Sequence, residues 1–141
     1  MARTPRPILA CLLAVALGAC VFAAASAAAS PPLVKATSGT LSATLLPGSH
    51  APKVNVKYPI TVTATLSGKP AHATAIYEFL FGGSIVSTQY VKNNKHFSFT
   101  GHYSDTLLFP ADSAGEPLTL RVVIRAAGRT VNLNWSITSH T

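Results

Sequence analysis

Glu78, Asp105, Asp112 and Glu116 are the only acidic side chains in this 141-residue chain. Acid/base cleavage of a glycosidic bond needs two carboxyl groups about 5 to 9.5 Å apart in a cleft. Only Asp112 and Glu116 are close in sequence, and they share the turn-rich stretch Asp112-Ser113-Ala114-Gly115-Glu116, where an aspartate serves as a turn residue. Nucleophile-elbow, P-loop and dinucleotide-binding glycine patterns do not occur. The two cysteines, Cys11 and Cys20, both fall in the first twenty residues, so the rest of the chain offers no thiol nucleophile and no thiolate zinc site. These residues predict a protein without catalytic residues, metal or cofactor.

Five histidines, His50, His72, His96, His102 and His140, supply the side chain most used for zinc and copper. His96 and His102, six apart on a strand, would lie about 20 Å from each other at roughly 3.3 Å per residue, too far to share an ion. They read as solvent-exposed loop and terminus residues. Arg121 and Arg125, four apart, would stand about 13 Å from each other on one strand face. That spacing suits successive anionic groups of a polymer, each held by the bidentate geometry of a guanidinium. Asn134 lies beside Arg121 in the hairpin register described below, and Asn134-Trp135-Ser136 also fits the N-glycosylation sequon. Mid-strand, that match reads as accidental. Arg121, Arg125 and Asn134 are thus the candidate binding residues. Most aromatic residues fall on core positions, with Tyr58, Tyr90 and Tyr103 as candidates for exposure.

The positioning elements begin behind an export segment. Arg3 and Arg6 precede the apolar run Ile8–Leu17, which passes into Ala- and Ser-rich sequence ending at Pro31-Pro32, the three zones of a signal peptide. Small residues around Ala25–Ala29 place the cleavage near residues 28 to 30. Two alternatives stay open: an uncleaved membrane anchor, and lipidation at Cys20, since Leu17-Gly18-Ala19-Cys20 resembles a lipobox. Residues 1–29 are read as signal peptide, 30–36 as a short tether and 37–141 as one folded domain. A hydrophobic fraction of 48% and a charged fraction of 11% exclude a disordered polyelectrolyte, and the length excludes a multidomain enzyme. Without Arg3 and Arg6 the eleven Lys and Arg become nine against four acids, a net charge of about +5. With no run of like charge this reads as ordinary solubility and not as a nucleic-acid footprint.

From Ser38 onward the pattern is that of strands, with no helix of useful length. Leu41, Ala43 and Leu45, and then Ile60, Val62, Ala64 and Leu66, alternate with Ser and Thr, the period of a half-buried strand. A two-residue loop at Ala127-Gly128 would pair Ile124 with Val131, Val122 with Leu133, Leu120 with Trp135 and Leu118 with Ile137, all apolar. The intervening pairs, Arg125 with Thr130 and Arg121 with Asn134 among them, are mostly polar and contain no acid, so both guanidiniums are expected to be unpaired on a wet face. Gly82-Gly83 would join a second hairpin pairing Phe79 with Val86 and Leu80 with Ile85, with apolar residues on both faces. About seven strands result, at the spacing of an antiparallel β-sandwich.

Tyr58-Pro59-Ile60-Thr61-Val62-Thr63-Ala64, Gly68-Lys69-Pro70, Gly101-His102-Tyr103-Ser104-Asp105-Thr106 and Gly115-Glu116-Pro117-Leu118 resemble strand openings and turns of immunoglobulin-like domains in secreted envelope proteins of high-GC Gram-positive bacteria. The resemblance spans about residues 37 to 139. The Cys…Trp…Cys framework of antibody domains is missing: Tyr77 stands where its buried Trp would be sought. The resemblance implies an all-β immunoglobulin-like sandwich in an extracellular setting and carries over no catalytic residue. The expected function is that of an exported, non-enzymatic module with a structural or binding role in the cell envelope, its partner a protein or an envelope polymer. A module for an anionic or carbohydrate polymer is the alternative, and a metal-carrier sandwich or an enzyme a distant one. No nucleic acid is expected, and membrane contact only through the leader or a lipid at Cys20.

Overall fold

The computed structural model describes residues 32–89 and 97–141. The leader, its cleavage region, Cys20, Tyr90 and His96 lie outside the described residues. Ten strands follow in order: β1 (Val34–Ser38), β2 (Leu41–Pro47), β3 (Tyr58–Leu66), β4 (Lys69–Pro70), β5 (His72–Phe81), β6 (Ser84–Gln89), β7 (Phe97–Thr100), β8 (His102–Leu107), β9 (Pro117–Ala126) and β10 (Arg129–Thr138). A single 3₁₀ turn, Ala111–Ser113, interrupts the loop after β8. One antiparallel sheet runs β1-β2-β3, with β4 and β8 both paired to β3, and the other runs β10-β9-β5, with β6 and β7 both paired to β5. The chain is all-β, two antiparallel sheets packed as a sandwich.

The count exceeds seven because the runs Lys69–Phe81 and Phe97–Leu107 each divide between the sheets and because β1 precedes the first strand expected. β7 pairs with β5 and β8 with β3, so the run Phe97–Leu107 crosses between sheets at Gly101. Gly101 has φ +74°, and a Cβ there would meet the Pro70 side chain at 3.0 Å, so a side chain would be strained by conformation and crowded against Pro70. Its N–H donates to Ala71 O, and its carbonyl accepts from Ala64 N–H, tying both corners together. At the N-terminal end, Val34–Ala36 pair with Leu45–Ala43, so β1 begins inside the stretch read from sequence as tether.

The register inferred for the final hairpin is the one observed, from Arg129 opposite Ala126 to Ile137 opposite Leu118. Ala127 and Gly128 both have positive φ, the primed-turn geometry that matches strand twist. The second hairpin differs. Phe81 faces Ser84 and Leu80 faces Ile85, but Phe79 faces Ser87, because a β-bulge falls between Phe79 and Leu80. The expected Phe79–Val86 pair is therefore not formed, and Val86 is the extra residue of the bulge. Alternation alone carries no signal of an inserted residue.

The core is formed where the two alternating faces meet: Leu41, Leu45, Ile60 and Val62 from one sheet against Tyr77, Leu120, Val122, Ile124 and Leu133 from the other. Phe109 fills one end, edge-on to Tyr58 and Phe79. Trp135 is buried at 8% exposure. Its Nε1–H donates to Ser49 O at 3.1 Å, and the His50 ring stacks on it at 3.6 Å between centroids. His50 Nδ1–H in turn donates to the Ser136 carbonyl at 2.6 Å. The β2–β3 loop thus lays an imidazole over the indole, which gives His50 a packing role while its other surface remains exposed.

Trp135→Ala removes a packed indole and its bond to Ser49, so unfolding in urea should show a loss of about 3 to 5 kcal/mol, as large-to-small core changes do. Native Trp emission should be blue-shifted. A loss below about 1 kcal/mol would contradict the burial.

Candidate functional site

The four carboxylates occupy three settings. Glu78 sits on the outer face of β5, directly opposite Arg121. The Arg121 guanidinium reaches its carboxylate at 3.8 Å and donates from Nε to Asn134 Oδ1 at 3.1 Å. This corrects the expectation of two unpaired guanidiniums: the hairpin register leaves acids out, but β9 has a second neighbour, β5, which brings Glu78 alongside. Arg125 is exposed on the same face, opposite Thr130 and Thr74, and is not without a partner of its own. Between the arginines, Ile76 faces Val123, so the row is interrupted by an apolar pair. The three residues singled out as a binding set therefore do share one face, with Arg121 and Asn134 bonded to each other.

Asp105 stands on β8 between Tyr103 and Leu107, opposite Ile60, and turns toward the gap between the sheets. Its Oδ1 accepts from Thr106 N–H at 2.7 Å. Across the gap, Tyr77 is fully buried and its hydroxyl meets no hydrogen-bond partner among the described residues. Burial keeps this hydroxyl protonated far above its ordinary range, and the negative charge of Asp105 acts in the same direction. Tyr58 and Tyr103 are raised as well, chiefly by burial. Tyr58, a candidate for exposure from sequence, is buried, and its hydroxyl donates to Ser49 O at 2.5 Å.

Asp112 and Glu116 border a groove of about 220 Å³, whose floor is Phe79, Phe109 and Leu118 and whose walls are Val86, Ser87, Leu108 and Pro110. Two of its lining side chains are large, apolar and exposed, Leu108 at 53% and Val86 at 58%; Ile85 on β6 and Phe81 at the end of β5 are exposed as well. The two carboxylates line this mouth, and among the described residues no Lys or Arg does, in a chain whose overall charge is positive. The groove combines an apolar floor with negative charge at the rim, an arrangement that takes an apolar group carrying a cation. Sequence reasoning treated Asp112 as a turn residue and missed the groove. The legible signal was the apolar residues on both faces of the second hairpin.

The groove wall is held from outside. Ser139 is buried, and its hydroxyl donates to Ser113 O at 2.6 Å and lies 3.0 Å from Ser113 Oγ. Gly115 N–H donates to Ser139 O. On the other side of the same tail, His140 N–H donates to Pro52 O and Val54 N–H to His140 O. Residues 138 to 140 are thus gripped between the β2–β3 loop and the groove loop.

The other histidines are dispersed: His72 Nδ1 lies 3.3 Å from Thr100 Oγ1, His102 opens β8 and His140 is in the C-terminal tail. Among the described residues no three metal-capable side chains come together. Nor do the aromatic rings form an outward row: Phe97, Phe99 and Tyr103 cluster inward, and Phe81 at the β5–β6 tip is the exposed ring among the described residues. No protein-family model matches the chain, and a search of curated proteins finds no similar sequence.

Ser139→Ala leaves the Ser113 carbonyl without its donor, so stability should fall by about 1 to 3 kcal/mol in urea titration, with faster hydrogen exchange at Gly115. Tyr77→Phe removes a hydroxyl that has no hydrogen-bond partner among the described residues, and at neutral pH should change stability by less than about 1 kcal/mol. The native protein should lose stability as pH rises above about 10, because the unfolded chain releases its tyrosine protons there while the folded one retains them. Tyr77→Phe should flatten part of that slope in pH-dependent urea midpoints. An unchanged slope would mean that Tyr77 titrates freely in the folded protein.

Proposed function

We propose that this chain is an exported, non-catalytic, immunoglobulin-like binding module of a bacterial cell envelope, and that it binds through the groove between β6 and the loop that follows β8. The groove itself carries the reading. An apolar concavity of about 220 Å³ whose lining includes the exposed side chains of Val86 and Leu108 is costly to leave in water and favours an occupant. Its floor and its loop wall belong to a fixed frame: Phe79 and Leu118 are on paired strands, and the loop is pinned by Ser139. Rigidity limits the ordering cost of binding. Export is supported by the basic, apolar and small-residue zones of residues 1–29 and by a cysteine-free mature chain.

The polymer reading through Arg121, Arg125 and Asn134 draws less support, since Glu78 already neutralises one guanidinium of the row.

Nile red, a neutral apolar dye, should bind the exported protein saturably, and the Val86→Thr, Leu108→Ser double variant should bind it several-fold more weakly with an unaltered urea midpoint. Intact mass of the exported protein should give an N-terminus near residues 28 to 30. A mass starting at a diacylated Cys20 would instead make the module membrane-tethered. Dye binding indifferent to the double variant, together with salt-sensitive polymer binding lost in Arg121→Ala, Arg125→Ala, would move the function to the outer sheet face.

A further inference from the structure

The sandwich has free strand edges, and they are not equivalent. An unprotected edge presents a row of backbone donors and acceptors, which proteins ordinarily blunt with charge, proline or cover. β1 carries Lys35 and packs against β10, so these two edges shield each other. β8 carries His102 and the inward-turned Asp105. β7 is four residues long. β6, Ser84–Gln89, holds neither a charge nor a proline, pairs only with β5 among the described residues, and leaves Ile85 and Val86 in the open. The least protected edge is thus the one beside the groove, since Val86 and Ser87 of β6 form part of its wall.

We propose that β6 and the groove together bind an extended peptide, which adds to the free edge of β6 as a further strand, sends apolar side chains into the groove and sets a lysine or arginine against Asp112 and Glu116. This deepens the groove reading above and rests on it. A strand laid along β6 directs every second side chain to the face that Phe79 and Leu118 share, so backbone bonds supply affinity and the groove selects the side chains. The bulge at Phe79/Leu80 limits the regular run of the edge, which suits a short segment and opposes indefinite stacking of sheets. Charge decides between a foreign peptide and a second copy: a symmetric β6–β6 pairing would bring two Asp112–Glu116 rims toward each other, whereas a cationic residue neutralises one. For the same reason an anionic polymer is unsuited to this mouth.

The test uses the exported protein and a fluorescein-labelled, end-blocked peptide of six residues, with valine, valine and lysine at alternate positions and threonine between them. Anisotropy should show saturable binding that competes with Nile red and weakens as salt rises. N-methylation of the backbone nitrogens on one peptide edge removes two or three hydrogen bonds and should weaken binding by at least about tenfold. The Asp112→Asn, Glu116→Gln double variant should bind several-fold more weakly and lose most of the salt dependence, with its urea midpoint and dye binding kept. Equal affinity for the N-methylated peptide on both edges would overturn strand addition, and unchanged binding in the double variant would overturn the cationic anchor. Dye binding without peptide binding would sink the peptide while leaving the groove as a site, and absence of both would sink the groove reading too. Sedimentation of the unliganded protein as a dimer that masks the groove would make the occupant a second copy.

Discussion

The pairing of β9 on both its sides is the constraint from which the rest of the molecule follows. Leu120, Val122, Ile124 and Ala126 point into the sandwich, and β10 on one side and β5 on the other place their own buried residues in the same rows. A slip of one residue on either side would turn Trp135 and Leu133, or Tyr77 and Phe79, to water, at a cost of several buried side chains at once. The register is therefore strongly fixed. Once it is, the outer face is fixed too: Asn134, Arg121 and Glu78 fall in one row and bond across three strands. That bond is half-exposed and adds little stability of its own. Its importance lies in removing a free guanidinium from the surface.

The two long sides of the sandwich differ. On one, β1 and β10 approach each other and close the core. On the other, Phe97, Phe99 and Tyr103 pack together toward one end, and Phe109 packs on Tyr58 and Phe79 toward the other. The cavity that remains near Phe109 is the groove. Its outer wall is a loop, and loops hold shape only when their backbone groups find partners. Here the C-terminal tail provides them, through Ser139 to Ser113 and Gly115, while the β2–β3 loop secures the tail from behind. The same loop places Ser49 under the Trp135 and Tyr58 donors. Core packing and groove shape are thus linked through one short C-terminal segment.

Charge is distributed against this geometry in a way that net charge conceals. A chain with eleven basic and four acidic residues places two of its acids at an apolar mouth, one on the outer sheet row and one turned inward beneath an edge. Asp105, half-buried on the inward side of β8, is an inward charge of the kind that discourages edge-to-edge pairing there.

The sequence by itself determined the all-β class, the absence of long helices among the described residues and the register of the last hairpin, because alternation and turn chemistry are local and Ala127-Gly128 admits one pairing that keeps Leu118, Leu120, Val122 and Ile124 on one face with Ile137, Trp135, Leu133 and Val131. It also marked Trp135 as core. Only the tertiary structure decided what lies across a second strand edge or in a loop packed from far along the chain. Glu78 meets Arg121 although 43 positions separate them, and His50 covers Trp135 from 85 positions away. The bulge that releases Val86 and the crossing of Gly101 between sheets likewise follow from how strands of unequal length are accommodated around one core. A groove is the shape left between such elements, and its lining comes from β5, β6, the loop after β8 and β9. No period within any one of them encodes that space, since it exists only once the two sheets are stacked.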